Sequence, residues 1–313
     1  MQGTHAAGRL TSQTLQPLGS GALIAHPPTF DLQSHSLHSD GALAPREVVA
    51  AAAHAGVELL ALSDHDNVDG VPEASDYAAA LGVRLVPAVE ISAVDADQHD
   101  LHVLGYLIDD RDRLLGERLR GFREDRQRRA EAMAQTLREL GFELDEATLR
   151  ERRAAGASIG RPHLAKAVVA HPANARRLES ERCLDPSAFL VAYLIEDRPA
   201  FRPRVAPSVP EAIDAIHDAG GVAVWAHPFW DLDDPAAVLR TIDRFCAHGL
   251  DGVECFYVTH RREHAELLAD RCAELKLLST GSADFHGPDH RDFSRFRAFR
   301  TFGRTPVLGP IAA

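Results

Sequence analysis

Short apolar segments alternate with longer amphipathic segments along much of the chain, and this pattern predicts successive strands and helices. The segments typical of buried strands are a short one from Phe30 and then 57–62, 83–89, 100–106, 222–226, 251–256 and 276–279. Helical spacing and helix-start residues mark 44–55, 71–81 and 209–219. Strands that alternate with helices favour an α/β fold, and the recurrence of the unit favours a barrel.

The pattern changes between residues 111 and 204, where arginine, glutamate and alanine dominate and apolar residues recur at helical intervals. We interpret this stretch as a helical insertion subdomain. The residues before Phe30 mix Gly, Ser, Thr, Gln and Pro without a sustained period, which is typical of a flexible leader. The predicted organisation is therefore a leader over 1–29, a first part of the barrel over 30–110, the insertion over 111–204 and a second part over 205–313.

Composition narrows the classes of function. The 313 residues are 45% apolar, which is enough for one large α/β domain with an insertion. The formal net charge of -12 argues against binding to long nucleic acids, because affinity for a phosphate backbone comes mainly from Lys and Arg. The four cysteines show no CxxC spacing, which favours reduced thiols. Without a secretion signal or a membrane-spanning segment, we expect a cytoplasmic protein with no membrane partner.

Imidazole and carboxylate side chains recur at the predicted strand ends or in the turns that follow. The residues are His35, Asp40, His65, Glu90, His102, His227, Asp284 and His286. Any single histidine could be a hydrogen-bonded structural residue, but so many strand ends favour a shared role. A zinc site takes about four protein ligands at most, so this number predicts about two or three clustered divalent cations. Mn²⁺, Zn²⁺ and Fe²⁺ all accept imidazole together with carboxylate.

Three further acidic residues, Asp31, Asp64 and Asp66, lie beside these positions. Each could orient a ligating imidazole or could simply close a turn, and the sequence leaves both readings open.

Six separated motifs together resemble the polymerase and histidinol phosphatase (PHP) family of metal-dependent phosphoesterases. They are FDLQSHSLHSDG, ALSDHDN, VPAVEIS, HVLGY, AVWAHP and GSADFHG, in the order in which that family carries them. The resemblance implies a distorted seven-stranded (β/α) barrel with up to three metal ions, held by the eight residues above. Within the insertion, GRPHLAKAVV and AYLIEDRPAFRP resemble the branch that includes nucleoside 3′,5′-bisphosphate phosphatases and 5′-to-3′ exoribonucleases.

One position departs from the family pattern. The family usually opens with Asp-Leu-His-x-His, and this chain has Gln33 in place of the first imidazole. A glutamine oxygen can ligate a hard cation but is a poorer donor to zinc. We include Gln33 among the expected ligands, with His38 as the alternative.

Roles follow from this chemistry. We expect His65, His227 and Asp284 to be essential for catalysis, since a bound cation can lower the pKa of its water and so supply a nucleophile. Guanidinium groups suit phosphoryl oxygens, so Arg161 beside His163 is the first candidate for substrate binding and Arg198 the second. The alternative for both arginines is a solvated helix end. His227 or His260 is the candidate to protonate the leaving group.

The function predicted from the sequence is metal-dependent hydrolysis of phosphoesters in a small substrate, a nucleotide or a short oligonucleotide. A catalytically weak metal- and nucleotide-binding protein is one alternative, because of Gln33. Histidinol-phosphate phosphatase is another, since its barrel would look alike.

Overall fold

The structure is a computed structural model that describes residues 28–95, 100–154, 159–203 and 207–313. Apart from its last two residues, the predicted leader over 1–29 lies outside this described part.

Strands and helices alternate as expected, with a run of helices in the middle. The strands are Phe30–Asp31 (β1), Leu59–Leu62 (β2), Arg84–Val94 (β3), Asp100–Tyr106 (β4), Val222–Trp225 (β5), Gly252–Tyr257 (β6) and Leu278–Ser282 (β7). The helices are Pro45–His54 (α1), Val71–Leu81 (α2), Arg113–Glu139 (α3), Glu146–Ala154 (α4), Arg161–Ala170 (α5), Ala175–Ser180 (α6), Pro186–Tyr193 (α7), Val209–Asp218 (α8), Pro228–Asp231 (α9), Pro235–Cys246 (α10) and Arg262–Leu275 (α11). Short 3-10 helices span Pro172–Asn174 and Gly309–Ala312.

The seven strands form one sheet in chain order that closes almost completely into a barrel. Beyond β1, the backbone N–H of Leu32 donates to the carbonyl of Gly281, and Ser34 pairs with Phe285, which brings the first strand against the last. The predicted α/β barrel is therefore confirmed.

Strand β4 corrects the expectation that the site residues lie at the ends of parallel strands. It runs antiparallel to both β3 and β5, whereas the other neighbouring strands are parallel. The reason is the short connection from Val94 to Asp100, because a parallel crossover needs a dozen or more residues. His102 consequently comes from within β4, opposite Ser92 of β3.

Local signals explain where several helices begin. Helix α8 starts at a capping box in which the Ser208 hydroxyl accepts from the backbone N–H of Glu211, while the Glu211 carboxylate accepts from that of Ser208. Helix α10 starts at Asp234, whose carboxylate accepts two backbone N–H bonds. None of the helices in the described ranges combines the length and apolarity needed to cross a bilayer.

The long helix α3 joins the barrel to the helical segment predicted as an insertion. Its first turns bury Leu115 and Leu119 in the barrel core, whereas Met133 and Leu137 lie in a separate apolar cluster with Phe142 and other residues of the segment. The separate core agrees with an insertion subdomain. The boundaries of that subdomain at residues 111 and 204 remain a prediction.

Candidate metal and substrate site

The eight side chains predicted as ligands from the strand ends lie in one cluster at one end of the barrel. Seven of them form three overlapping groups, in each of which the ligand atoms lie within 4.8 Å of one another: His35, Glu90 and Asp284; His65, Glu90 and His102; and His35, Asp40, His65 and His286. His227 joins them through Glu90, with 3.2 Å from its Nε2 to Oε1. The cluster therefore offers more donors than a single ion needs.

Glu90 is the centre of the cluster. Its Oε2 lies 3.1 Å from Nε2 of His35 and 3.4 Å from Nδ1 of His65. Its Oε1 lies 2.7 Å from Nδ1 of His102 and 3.2 Å from Nε2 of His227. Each oxygen thus faces two imidazoles, and Glu90 would contribute to more than one set of cation ligands.

Asp284 and Asp40 complete the cluster on two sides. The Oδ1 of Asp284 lies 3.0 Å from Nε2 of His35. Asp40 lies 3.6 Å from Nε2 of His65 through Oδ2 and 3.4 Å from Nε2 of His286 through Oδ1. Asp40 is the more accessible of the two carboxylates, so the Asp40 side of the cluster faces outward.

Left-handed backbone conformations place three acidic or imidazole residues at this end of the barrel. Asp66, His227 and Asp284 have φ angles of 50°, 31° and 52°. Such angles are uncommon for residues other than glycine, and they concentrate at functional sites where the surroundings hold the chain in place. For His227 the surroundings include Glu254, whose Oε2 accepts from the His227 backbone N–H at 3.0 Å.

Neighbouring side chains orient two of the clustered residues, Asp284 and His227. The hydroxyl of Tyr257 donates to Oδ2 of Asp284 at 2.8 Å, and Asp231 lies 3.6 Å from Nδ1 of His227. Partners of this kind fix ligand orientation and raise metal affinity.

The hydrogen bonds of Asp64, Asp66 and Asp31 distinguish between the two roles that the sequence left open for these carboxylates. Asp64 accepts from the backbone and hydroxyl of Ser36 and from the hydroxyl of Ser39, and so it holds the turn that carries His35 and Asp40. Asp66 accepts from the backbone of Ser92. Asp31 is buried in β1, where it accepts from the backbone N–H groups of Ala283 and Arg297. All three carboxylates therefore stabilise loops and strand ends.

Burial and the charges of neighbouring groups act in opposite directions on the pKa values of His35 and Glu90. Burial alone would lower the pKa of His35, but the carboxylates of Asp284 and Glu90 raise it well above its usual value. Burial alone would raise the pKa of Glu90, but the imidazoles of His65 and His102 hold it well below its usual value. A lowered pKa favours the ionised form of Glu90, which is the form in which a carboxylate binds a cation.

Unpartnered atoms test whether the residues fit a metal. In the described part of the chain, four buried atoms face one another at 3.0 to 3.4 Å without making a hydrogen bond: Nε2 of His35, Nδ1 of His65, Oε2 of Glu90 and Oδ1 of Asp284. Buried polar atoms are costly without hydrogen bonds, and these four converge on one place. Their imidazole and carboxylate donors suit borderline and hard divalent cations, so the residues fit such ions.

Gln33 lies beside this cluster and is completely buried. Its Oε1 is 3.3 Å from the hydroxyl of Ser282, and its Nε2 has no hydrogen-bond partner among the described residues. His38 is partly exposed and contributes no atom to the three groups of ligand atoms. Its backbone carbonyl instead accepts from Asn67.

A cavity of about 160 Å³ opens directly onto the cluster. One wall carries Asp40, His65 and His102, and the other comes from α3 and from the start of α5. This second wall consists of Arg126, Arg129, Ala130 and Met133 from α3, Ile159 and Gly160 just before α5, and Arg161, Pro162 and His163 from its first turn. Three arginines and a helix N-terminus thus face the ligand cluster, and both features attract anions.

Arg161 and His163, the first candidates for substrate binding, both line the cavity. The Nδ1 of His163 accepts from the backbone N–H of Gly160 at 3.0 Å, so its proton is assigned to Nε2. Burial, and then the nearby charge of Arg152, lower the pKa of His163 to about 4. His163 is therefore a neutral imidazole whose second nitrogen can donate a hydrogen bond.

Arg198 and His260 are not brought to the cavity. Arg198 is exposed, and neither residue lines the described cavity. His260 is buried, its Nδ1 lies 3.0 Å from the carbonyl of Cys255, and burial lowers its pKa to about 3. The positions of these two residues give no support to the substrate roles predicted for them.

Sequence reasoning did not single out Arg126, Arg129, Tyr257 or Asp231. Arg126 pairs with Asp66 at 3.0 Å and lines the cavity with Arg129. The spacing of these two arginines, three residues apart on a helix, places them on one face and was the only signal available. Tyr257 and Asp231 reach the site through the fold alone.

Comparison with known proteins identifies the family. The PHP domain profile matches residues 31–156. A 5′-3′ exoribonuclease of Haemophilus influenzae is 31% identical over 259 residues, which cover 83% of this chain and 90% of the relative. A 3′,5′-nucleoside bisphosphate phosphatase of Chromobacterium violaceum is 31% identical over 282 residues, covering 90% of this chain and 93% of the relative. The chain belongs to the PHP domain family.

A solved structure extends the likeness to the whole fold. A protein from Bifidobacterium adolescentis, described as a metal-dependent phosphoesterase, superposes with a TM-score of 0.70 at 30% identity. The match covers 85% of this chain and 91% of that one. The present chain is accordingly a metal-dependent phosphoesterase, a hydrolase of phosphoric esters.

Proposed function

We propose that the protein hydrolyses phosphoesters of nucleotides or of short oligonucleotide ends, with about two or three divalent cations such as Mn²⁺, Zn²⁺ or Fe²⁺. The observation that carries the proposal is the arginine-lined cavity that opens onto the ligand cluster. A phosphoryl group placed there meets cation ligands on one side and guanidinium groups on the other.

The residues that would hold the cations are those of the three groups together with His227. When bound, divalent cations polarise the phosphoryl oxygens, lower the pKa of a coordinated water and stabilise the attacking and leaving oxygens. The carboxylates of Glu90 and Asp284 neutralise the ions, and Tyr257 keeps Asp284 in position through its hydroxyl.

The cavity residues bind and orient the phosphoryl group. Arg161 at the first turn of α5 supplies positive charge, and the helix dipole adds to it. His163 donates from Nε2 as a neutral group, so it can contact a phosphoryl oxygen over the whole neutral pH range. Because oxygens of the transferring group gain or redistribute charge in the transition state, fixed donors here lower the barrier.

Aromatic side chains support a nucleoside as the rest of the substrate. Trp230, which follows His227 by three residues on α9, is 54% exposed. Its ring lies 5.5 Å from that of Phe293, which in turn lies 5.5 Å from the ring of His286. An exposed indole that is two ring contacts from His286 is a suitable platform for a nucleobase.

The proposed cytoplasmic location rests on the thiols. The four cysteines are unbonded, including Cys255 and Cys272, whose sulfur atoms lie 3.6 Å apart. Such a pair stays reduced in a reducing compartment.

The test is release of inorganic phosphate from adenosine 3′,5′-bisphosphate and from AMP in the presence of Mn²⁺. A short 5′-phosphorylated RNA distinguishes the two ester classes, because a diesterase releases mononucleotides and a monoesterase releases phosphate. We expect turnover that is lost in His65→Ala and in Asp284→Ala, and activity that survives both substitutions would overturn the proposed site.

Histidinol phosphate serves as the competing substrate in the same panel. Preference for it over the nucleotides would replace the nucleotide proposal with the histidinol-phosphate alternative. Brisk turnover by the wild-type protein removes the weak-binding alternative that Gln33 suggested.

A further inference from the structure

Gln33 stands where the family usually has an imidazole, and its surroundings are unusual for an amide. It precedes His35 by two residues in the segment that follows β1 and runs beside Gly281 and Phe285. It is completely buried, with Ser282 beside it and Glu254 beyond Ser282. An imidazole ligand has thus been replaced by a neutral side chain with one acceptor and one donor end.

The hydrogen count decides which end of the amide faces Ser282. The hydroxyl of Ser282 has a single proton, and its contact with Oε1 of Glu254 is 2.6 Å, whereas its contact with Gln33 is 3.3 Å. Burial raises the pKa of Glu254 to about 8, and in its ionised form the short contact takes the Ser282 proton, so that an amide oxygen facing Ser282 would meet a second acceptor. The amide nitrogen can donate to Ser282, and the two ends of an amide are assigned from such networks.

The other end of the amide supports the same orientation. The buried atom that now lacks a partner is Nε2 of Gln33. If this end of the amide faces the cation ligands, an N–H donor there would be both unpaired and repelled by the ions. When the amide is turned by about 180°, Oε1 takes the position of Nε2. A bound cation can then contact this oxygen, which has no hydrogen-bond donor there.

We propose that the amide of Gln33 donates from Nε2 to Ser282 and presents Oε1 as a neutral oxygen ligand to the cation held by His35, Glu90 and Asp284. A neutral oxygen in place of an imidazole makes this position favour a hard cation such as Mn²⁺ over Zn²⁺. The proposal rests on the proposed function only in requiring divalent cations, since it concerns which ion binds and not which ester is cleaved.

The test measures metal content without substrate. Metal-stripped protein is reloaded from an equimolar mixture of Mn²⁺ and Zn²⁺, desalted and analysed for both elements per chain. We expect Gln33→Leu to bind one ion fewer than the wild type. We expect Gln33→His to bind the wild-type number of ions with a manganese-to-zinc ratio that falls by about tenfold or more. Wild-type content in Gln33→Leu, or an unchanged ratio in Gln33→His, overturns the proposal.

Two further variants guard against a folding defect in Gln33→Leu. Gln33→Glu keeps an oxygen donor and adds charge, so it should retain the ion, and loss of the ion would contradict ligation. Ser282→Ala removes the group that orients the amide and should weaken metal affinity by about 10- to 100-fold. His38→Ala is the matched control from the same turn. It should leave the metal content unchanged, and loss of an ion there would assign the ligand to His38 instead.

Discussion

The substitution Tyr257→Phe tests whether the hydroxyl of Tyr257 positions a proposed metal ligand or whether Tyr257 only packs in the core. The hydroxyl of Tyr257 donates to Oδ2 of Asp284 at 2.8 Å, and both side chains are buried. The phenyl ring of the variant fills the same space, so packing is retained while the carboxylate loses a donor. Oδ1 of Asp284 faces His35 on the other side, and the variant frees the carboxylate to rotate away from it.

The magnitude follows from two independent scales. A hydrogen bond to a charged group contributes about 1.5 to 3 kcal/mol, and loss of a partner of a ligating group typically costs about 10- to 100-fold in metal affinity. Since about 1.4 kcal/mol corresponds to a factor of ten, the two ranges agree. We therefore expect Tyr257→Phe to weaken Mn²⁺ binding by about 10- to 100-fold.

The assay is a titration of metal-stripped protein with Mn²⁺. Binding is measured by calorimetry or from the electron paramagnetic resonance signal of the free ion. Tyr106→Phe is the matched control, because Tyr106 is an equally buried tyrosine whose hydroxyl donates to the carbonyl of Leu32, which is not a proposed ligand. Both variants should lose stability, and only Tyr257→Phe should lose metal affinity. Equal metal affinities in the two variants would refute a role for Tyr257 in positioning Asp284.

Two predictions concern the substrate. Arg161→Ala should lower kcat/KM by about 10²- to 10³-fold, whereas Arg198→Ala should change it by less than about twofold. Equal losses of kcat/KM in the two variants would show that the cavity is not the phosphoryl site. Trp230→Ala should raise KM for nucleotides by about tenfold without changing KM for ribose 5-phosphate, because stacking on a base contributes about 1 to 3 kcal/mol. Trp230→Phe should lie between, and a KM for AMP that stays at the wild-type value in Trp230→Ala would exclude base stacking there.

The sequence predicted the barrel and the ligand cluster because both follow from local pattern. Where strands are parallel, His or acidic residues that follow an apolar strand lie at the same end of the barrel. His65 and Asp284 are examples. The direction of β4 could not be read in this way, because it depends on a connection too short for a crossover. His102 nevertheless reaches the cluster, since alternation along a strand directs its side chain to the same face in either direction.

The second half of the site depends on packing between distant segments. Arg126 and Arg129 belong to a helix that is charged on most of its surface, and only its contact with the barrel shows which arginines line the cavity. Arg161 and Arg198 are indistinguishable as charges in the sequence, yet one faces the cluster and the other faces solvent. Tyr257 meets Asp284 because β6 and β7 are neighbours, with Tyr257 opposite Ser282.

The most direct test of the account is a parallel titration of bound Mn²⁺ and of phosphate release from adenosine 3′,5′-bisphosphate, starting from metal-stripped wild-type protein. We predict that hydrolysis is absent without metal and rises to its maximum as about two or three ions bind per chain. Hydrolysis at full rate by the metal-free protein, or no hydrolysis of any nucleotide at saturating Mn²⁺, would contradict it.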